Sequence, residues 1–444
     1  MLIMMVTLLA TACADAGDDE STSPSSTSPP ATSSTMPTEP IQQGELARAD
    51  VDRVTDTDAT AIEIAALVTG DTEFALDLFR VVRAGGENVL LSPYSIAAAL
   101  TMTYAGARGT TATEMETVLG ISQGERVHSV RNELDLQITT VGEPAIPDDD
   151  REPFTIRIAN SIWGQQGYPF LEEFLVLLAE NYDAGMNLAD FASEAELARL
   201  AINDWVEEQT EGRIVDLIPS GVVTGLTRLV LVNAIWFKAS WKDQFDPANT
   251  SDAAFTTLDG TETIVPLMRG GGMMPYASGD GYQFLRIPYA GDAAMAIVLP
   301  DEGKFNEITA GLDVRFLADA SAAATTRDVN LALPKFEFES QFSLSPALAT
   351  LGMVEAFVGP SSDAGADFTG ITNERELFIQ DVVHQAVISV DETGTEAAAA
   401  TAVSVGLTSV ADPPVPVTID RPFVFMIEHT GTGEILFLGQ VTNP

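Results

Sequence analysis

The chain is poor in the side chains that carry covalent or redox chemistry. Its 444 residues include three histidines, His128, His384 and His429, and one cysteine, Cys13. The histidines lie too far apart for a metal-ligand spacing. A single cysteine supports no intramolecular disulfide, cysteine-rich zinc site or thiol exchange. There is no Gly-x-x-x-x-Gly-Lys phosphate loop, no Gly-x-Gly-x-x-Gly between strand and helix and no His-Glu-x-x-His, and the Gly-x-Ser-x-Gly match at Gly120-Ile121-Ser122-Gln123-Gly124 follows the amphipathic piece opened at Thr111 rather than the strand a nucleophile elbow needs. The arrangements that activate a serine, cradle a phosphate or hold a catalytic zinc are therefore missing. His384, inside the apolar run Val382-Val383-His384-Gln385-Ala386, reads as a hydrogen-bonded core residue rather than a general base. Carboxylates are plentiful, 65 Asp+Glu against 22 Lys+Arg for a net charge of −43. They read as solvated faces, and a hydrolase built on any two of them would be an arbitrary choice. That charge also excludes nucleic acid as a partner. The expectation is no enzyme, no metal and no cofactor.

What remains is conformational chemistry, concentrated in Asp391-Glu392-Thr393-Gly394-Thr395-Glu396-Ala397-Ala398-Ala399-Ala400-Thr401. The segment before it, Ala386 to Val390, alternates like a buried strand. The alanine run has no large side chain to bury and no cap, Pro or interior Gly that would commit it to a turn. It can be extended, helical or part of a sheet. On these residues alone it is either an ordinary small-residue surface loop or a hinge.

The elements that position this stretch follow from the rest of the chain. Met1 to Ala12 is an apolar run too short to span a bilayer but suited to a secretory signal. With Ala10-Thr11-Ala12 before Cys13 it resembles a bacterial lipoprotein signal, although no basic residue precedes the apolar run. Residues 1–13 are thus expected to be a signal with Cys13 as the lipidation site, with plain secretion as the alternative. The expected location is secreted or at the cell surface, anchored by lipid to a bacterial membrane. Residues 14–65 open in Ser, Thr, Pro and acid and are expected to form a disordered tether. Helical spacing starts near Thr72 and ends at Gly85-Gly86. The short strand Asn88–Leu91 then leads into Ser92-Pro93, a helix start with proline where its missing N–H costs nothing. That helix is apolar on nearly all sides and so should be buried. Further helices are expected over 170–178 and 195–206, with strands over 156–163 and 229–237. Asn233, alone in the second of these, must find partners for its amide. Strands follow over 284–289, 294–300 and 329–336, a helix over 345–351 stopped by Gly352, and two buried strands around Gly431-Thr432-Gly433. Helices come mainly first and strands later, which points to an α+β fold.

In this order the pieces resemble the serpins, over about residue 70 to Pro444. The matching motifs are Asn88 to Ile96 with Gly106-Ala107-Arg108-Gly109-Thr110, then Leu231 to Lys238, Leu333-Pro334-Lys335-Phe336, Glu392 to Thr401, and Arg421-Pro422-Phe423 through Gly439. The resemblance implies one domain, residues 66–444, with three β-sheets, eight or nine helices and an exposed reactive-centre loop. It implies a monomeric suicide inhibitor of serine proteases whose hinge (Glu392, Gly394, Thr395, Glu396, Ala397, Ala398, Ala399, Ala400, Thr401) enters the main sheet as a strand after acylation. Thr395, Ala397 and Ala399 would then face inward. It places Ser92, Ser95, Asn233 and His384 in a polar cluster beneath the sheet opening, the shutter. It places Trp236, Lys335 and Glu392 at the top of the opening, the breach, with a Lys335–Glu392 ion pair. Counting from the hinge puts the scissile bond at Thr408-Ser409. Counting back from Pro422-Phe423 favours Ala411, and Leu407 and Val410 are further candidates. No Arg or Lys lies from Thr393 to Ile419, so an elastase-, subtilisin- or chymotrypsin-like target is expected over a trypsin-like one. The negative charge argues against a heparin-like cofactor. The alternative function is that of a non-inhibitory serpin acting as a surface binding or chaperone-like protein.

Overall fold

The computed structural model describes residues 44–83, 86–139, 155–359, 365–395 and 413–444. Its helices are α1 (Ala61–Val82), α2 (Pro93–Tyr104), α3 (Gly109–Val118), α4 (Val127–Thr139), α5 (Glu172–Tyr182), α6 (Phe191–Gln209), α7 (Phe305–Ala310), α8 (Val314–Ala323) and α9 (Ser345–Leu351). Its strands are β1 (Glu45–Ala47), β2 (Val89–Leu91), β3 (Thr155–Gln165), β4 (Met186–Ala189), β5 (Leu229–Ser240), β6 (Ser251–Thr256), β7 (Glu262–Gly279), β8 (Tyr282–Pro288), β9 (Ala293–Pro300), β10 (Thr325–Pro334), β11 (Phe336–Ser343), β12 (Val382–Val390), β13 (Gly394–Thr395), β14 (Val415–Thr418), β15 (Phe423–His429) and β16 (Ile435–Val441).

The main sheet has seven strands in the order β1-β4-β3-β5-β13-β12-β11, with β5 and β12 also paired to each other. The remaining strands form a continuous ladder that β7 divides in two. Its first part, to Tyr276, pairs with β6 and β10, and its last residues pair with β8. One sheet is therefore β6, β7, β10 and β14, and the other runs from the end of β7 through β8, β9, β15, β16 and β2. With the main sheet this makes three. The seam between them is visible in sequence at Lys335, which separates β10 in one sheet from β11 in another. The expected single strand over 329–336 is thus two.

Helix α2 forms as expected. Ser92 caps it by accepting from the Ser95 amide, Pro93 opens the first turn, and every residue except Ala98 is buried. It packs between β3 and β5 on one side and β16 on the other, so it fills the space beneath the main sheet. The N-terminal boundary differs from expectation. The described residues from Gly44 onward already belong to the same unit as the rest of the domain, so residues 44–65 are not tether, and the earlier part of that expected segment lies outside the described residues. The cause is local for α1: Thr60 and Glu63 make a capping box, with the Thr60 amide donating to Glu63 Oε2 at 2.8 Å, which starts the helix at Ala61. For β1 it is distant, since that strand exists by pairing with β4. The Cys13 reading lies outside the described residues.

Helices α1 and α4 are joined by a buried ion pair, Arg131 donating to both carboxylate oxygens of Asp71 at 2.6 and 2.8 Å. Glu434, in the turn between β15 and β16, is buried beside the same pair, and its Oε2 makes no hydrogen bond. Burial and then the Asp71 charge hold the Glu434 carboxyl well above the usual range, against the pull of Arg131. Glu434 therefore keeps its proton in the fold, and it costs stability as pH rises above the carboxylate's ordinary value. Glu434→Gln is expected to raise the urea midpoint at pH 8 by the equivalent of roughly 1–2 kcal/mol. The gain should vanish near pH 4.5.

Candidate functional site: the slot between two parallel strands

Strands β5 and β12 are parallel neighbours only over part of their length. They pair from Leu231–Val382 to Ile235–Ala386. Beyond that they part, and β13 lies between them, antiparallel to both, with Thr395 opposite Ala239 on one side and Val390 on the other. The main sheet therefore holds a slot whose upper end is already occupied by Gly394 and Thr395, the two residues that follow Thr393.

The chain is turned into that slot by Asp391. Its Oδ1 accepts from the Thr393 amide at 2.8 Å, the Thr393 hydroxyl at 2.6 Å and the Gly394 amide at 3.2 Å. This is an Asx-type turn that reverses the strand within four residues. Gly394 is required by the close approach to β5, because a Cβ there would lie 2.0 Å from the Ala239 carbonyl oxygen. Thr395 is 1% exposed, and its Oγ1 is 2.8 Å from the Tyr289 hydroxyl.

The segment after β5 clamps the turn from above. The Trp241 amide donates to Thr393 O and its indole N–H to Asp391 O, both at 2.9 Å. The Phe245 amide donates to Glu392 O at 2.9 Å. The Trp241 ring stacks on Tyr289 at 4.4 Å and 7°. Glu392 completes the clamp, accepting from Lys335 Nζ at 2.7 Å and Thr250 Oγ1 at 2.7 Å. Burial pushes the Glu392 carboxyl up, but these two hydrogen bonds outweigh it and hold it below its ordinary range. The expected Lys335–Glu392 pair is thus in place.

The tryptophan is a correction. Trp241, not Trp236, closes the upper end of the slot. Side chains alternate along β5, and Trp236 shares parity with Val232 and Ala234 of the smaller core cluster, whereas Trp241 shares the main core with Ile235 and Phe237. The Trp236 ring instead carries the Arg213 guanidinium 5.0 Å from its centroid. For Trp241→Phe we expect the stack on Tyr289 to survive and the bond to Asp391 to be lost. That should destabilise by about 1 kcal/mol, read as a small drop in urea midpoint.

Beneath the slot the expected cluster is assembled, with one addition. The Ser92 amide donates to His384 Nε2 at 3.2 Å, so that nitrogen is the acceptor and Nδ1 carries the hydrogen, which goes to Asn233 Oδ1. The Asn233 amide donates to Ser95 Oγ at 2.7 Å and to Asn160 Oδ1 at 2.6 Å. Ser95 Oγ donates to the same Asn160 oxygen at 2.8 Å, and Asn160 Nδ2 returns to Ser95 O at 3.0 Å. Asn160 was not foreseen, although it is the only amide inside the apolar run 156–163, as Asn233 is in its own strand. Register makes the cluster: Asn160, Asn233 and His384 sit opposite one another on β3, β5 and β12. Burial lowers the His384 pKa to about 3, so the ring is neutral and the network is tied to one tautomer. These residues span the β5–β12 junction that must part if a strand is to enter further. Hinge residues 396–401 and the scissile-bond candidates Leu407, Thr408, Ser409, Val410 and Ala411 lie outside the described residues.

The main sheet thus has two parallel strands parted at one end, a two-residue strand seated in the gap and a neutral polar cluster below it. The chain belongs to the serpin family: the family profile, Serpin (serine protease inhibitor), matches residues 69–444. It is 39% identical over 381 residues to an uncharacterised serpin-like protein of Thermococcus kodakarensis, covering 85% of this chain and 86% of that protein. It is 35% identical over 394 residues to the leukocyte elastase inhibitor of Homo sapiens, covering 85% and 99%. The crystal structure of a thermophilic serpin, Tengpin, in the native state superposes with a TM-score of 0.78 at 27% identity, covering 91% of this chain and 100% of that one.

Proposed function

We propose that this protein traps serine proteases as a suicide substrate. The observation that carries the reading is the seat of Gly394–Thr395 between β5 and β12, followed in sequence by Ala397 to Ala400. A target protease attacks the scissile carbonyl, at Thr408-Ser409 or a neighbouring bond, and its serine oxygen forms an ester as the amine leaves. The freed segment then lengthens β13 down the slot, exchanging the five-residue β5–β12 ladder for two antiparallel ladders and carrying the acylated protease away from its productive geometry. Small side chains at alternate positions let the strand pass beneath the elements covering the sheet. The absence of Arg and Lys across 393–419, and the similarity to leukocyte elastase inhibitors, favour an elastase- or subtilisin-like target.

Incubation with elastase and subtilisin should give an adduct that survives denaturing electrophoresis. Loop cleavage without adduct sinks the proposal and leaves the non-inhibitory reading. We place the protein at the cell surface on the strength of its leader. Metabolic labelling with palmitate should mark the wild type and not Cys13→Ala, and an unlabelled wild type would overturn the anchor.

A further inference from the structure

We propose that Gln341 is a latch that has to release before a strand can enter the main sheet, and hence a positioning residue that sets the rate of trapping. This rests on the inhibitory reading above. Gln341 stands in one row with Ala159, Ala234 and Gln385 across β3, β5, β12 and β11. Ala159 and Ala234 belong to the smaller core cluster, on the face of the sheet opposite to Asn160, Asn233 and His384. That cluster lies under α6 and under the connection from α6 to β5, residues 210–228, which contributes Ile214, Leu217, Ile218 and Val223 and meets Val383 of β12. The connection is fastened on both sides. On one side α6 holds Ile218: its amide donates to Asn203 Oδ1 at 2.8 Å, and its carbonyl accepts from Asn203 Nδ2 at 3.1 Å and Arg199 Nη1 at 2.8 Å. On the other side, Gln341 Nε2 of β11 donates to Leu217 O at 2.7 Å.

Leu217 O and the Ile218 N–H are the two ends of a single peptide group, which is planar and does not stretch. Asn203 grips one end and Gln341 the other. The two grips sit on halves of the sheet that an entering strand drives apart. Helix α6 packs on β3, with Trp205 edge-on to Trp163, and so stays with the β5 side, whereas Gln341 moves with β12. A strand between β5 and β12 adds one strand spacing, roughly 4.8 Å, to their separation. A 2.7 Å bond lengthened by that much lies far outside hydrogen-bonding range. Either Gln341 lets go or three bonds to Ile218 do, and the single bond to an exposed side chain yields first. The Gln341 bond therefore belongs to the uninserted sheet alone. It is the outer counterpart of the contact between Asn233 and His384, which crosses the same junction on the inner face.

The test compares Gln341→Ala with Glu337→Ala, which is exposed on the same face of β11 two rows away. Both are measured before and after cleavage of the loop by elastase or subtilisin. For Gln341→Ala the guanidinium midpoint of the uncleaved protein should fall, while that of the cleaved protein equals wild type. Uncleaved Gln341→Ala should also lose inhibitory capacity about fivefold faster than wild type on mild heating, because the barrier to strand entry is lower by one hydrogen bond. Glu337→Ala should stay within about twofold of wild type. An equal fall of the midpoint in both forms of Gln341→Ala marks an ordinary surface bond that survives insertion, and it overturns the latch. A wild-type rate of loss overturns it as well. If the wild type gives no adduct but cleavage still raises its midpoint, trapping fails as a reading and the midpoint comparison decides the latch alone. If cleavage leaves the wild-type midpoint unchanged, no strand enters and both proposals fall.

Discussion

Under the proposed trapping mechanism, Thr395→Arg is expected to turn the protein into a plain substrate: the loop is cleaved at close to the wild-type rate, and the denaturation-resistant adduct falls by about a hundredfold or more. The side chain at this position is 1% exposed, placed between Ala239 and Val390, with its hydroxyl on Tyr289. A guanidinium there would be desolvated, and no carboxylate is among the partners that Thr395 makes. Burying an unpaired charge costs several kcal/mol, more than a two-residue strand recovers from its ladder, so β13 would leave the slot. Insertion after cleavage would then have to begin by burying the same charge, while deacylation by water runs unhindered. A barrier increase of about 2.8 kcal/mol is enough for a hundredfold shift in that competition. Gly394→Val tests the same step without charge, since any Cβ there collides with Ala239 O. The measurement is the ratio of adduct to cleaved protein on a denaturing gel. Wild-type stoichiometry in both variants would show that entry at Thr395 does not control trapping.

The parts of this site that could be read from the sequence are those where one residue type has one job. Asn233 and His384 interrupt apolar strands, and a buried amide or imidazole must be partnered, but that they meet Ser92 and Ser95 in one cluster was implied only by the resemblance to the serpins. Lys335 and Glu392 were expected as a pair and lie 2.7 Å apart. The hinge was legible as small residues after a strand, but not its state, because whether Gly394–Thr395 rest in the sheet depends on Trp241, Phe245 and Tyr289, which are distant in sequence. Trp241 was missed for Trp236, which lies five residues earlier inside β5 with its side chain on the opposite parity, while Trp241 follows just past the strand's end. Asn160 met the same criterion as Asn233, and attention to its place in the run 156–163 would have found it. The early start of the domain divides in the same way. The Thr60–Glu63 capping box is a local signal present in the sequence, whereas β1 is made by its pairing with β4 and carries none.

Acid should unfold this protein well above the ordinary carboxylate range, and His384 should be a principal cause. Burial lowers His384 to about 3 and, with the Arg131 charge, His128 to about 4. His429 is lowered as well, again chiefly by burial. The unfolded chain takes up these protons near pH 6.5 and the native state does not, so the stability they contribute is present above that pH and is lost as pH falls toward the native values. Each such histidine removes about 1.4 kcal/mol per pH unit. Glu434 works in the opposite sense, being protonated in the fold and ionised when unfolded down to its ordinary value, and so offsets one of them between about pH 6.5 and 4.5. The network explains why His384 in particular cannot yield. A proton on Nε2 would face the Ser92 amide, setting donor against donor where 3.2 Å now separates donor from acceptor. His384→Gln keeps an acceptor for Ser92 and a donor for Asn233 without a titrating group. Its urea midpoint should be lower than wild type at pH 8, reflecting imperfect fit, but its acid slope should be shallower by about 1.4 kcal/mol per pH unit. Glu434→Gln should have the reverse effect on slope, because the opposing proton is gone. Parallel slopes for all three proteins from pH 7 to pH 4 would remove His384 from the account and leave acid sensitivity to the surface carboxylates. Because His384 bridges β12 to Asn233 on β5, the same protonation loosens the junction that an entering strand must part, so acid should also speed loss of inhibitory capacity in uncleaved protein held at pH 5.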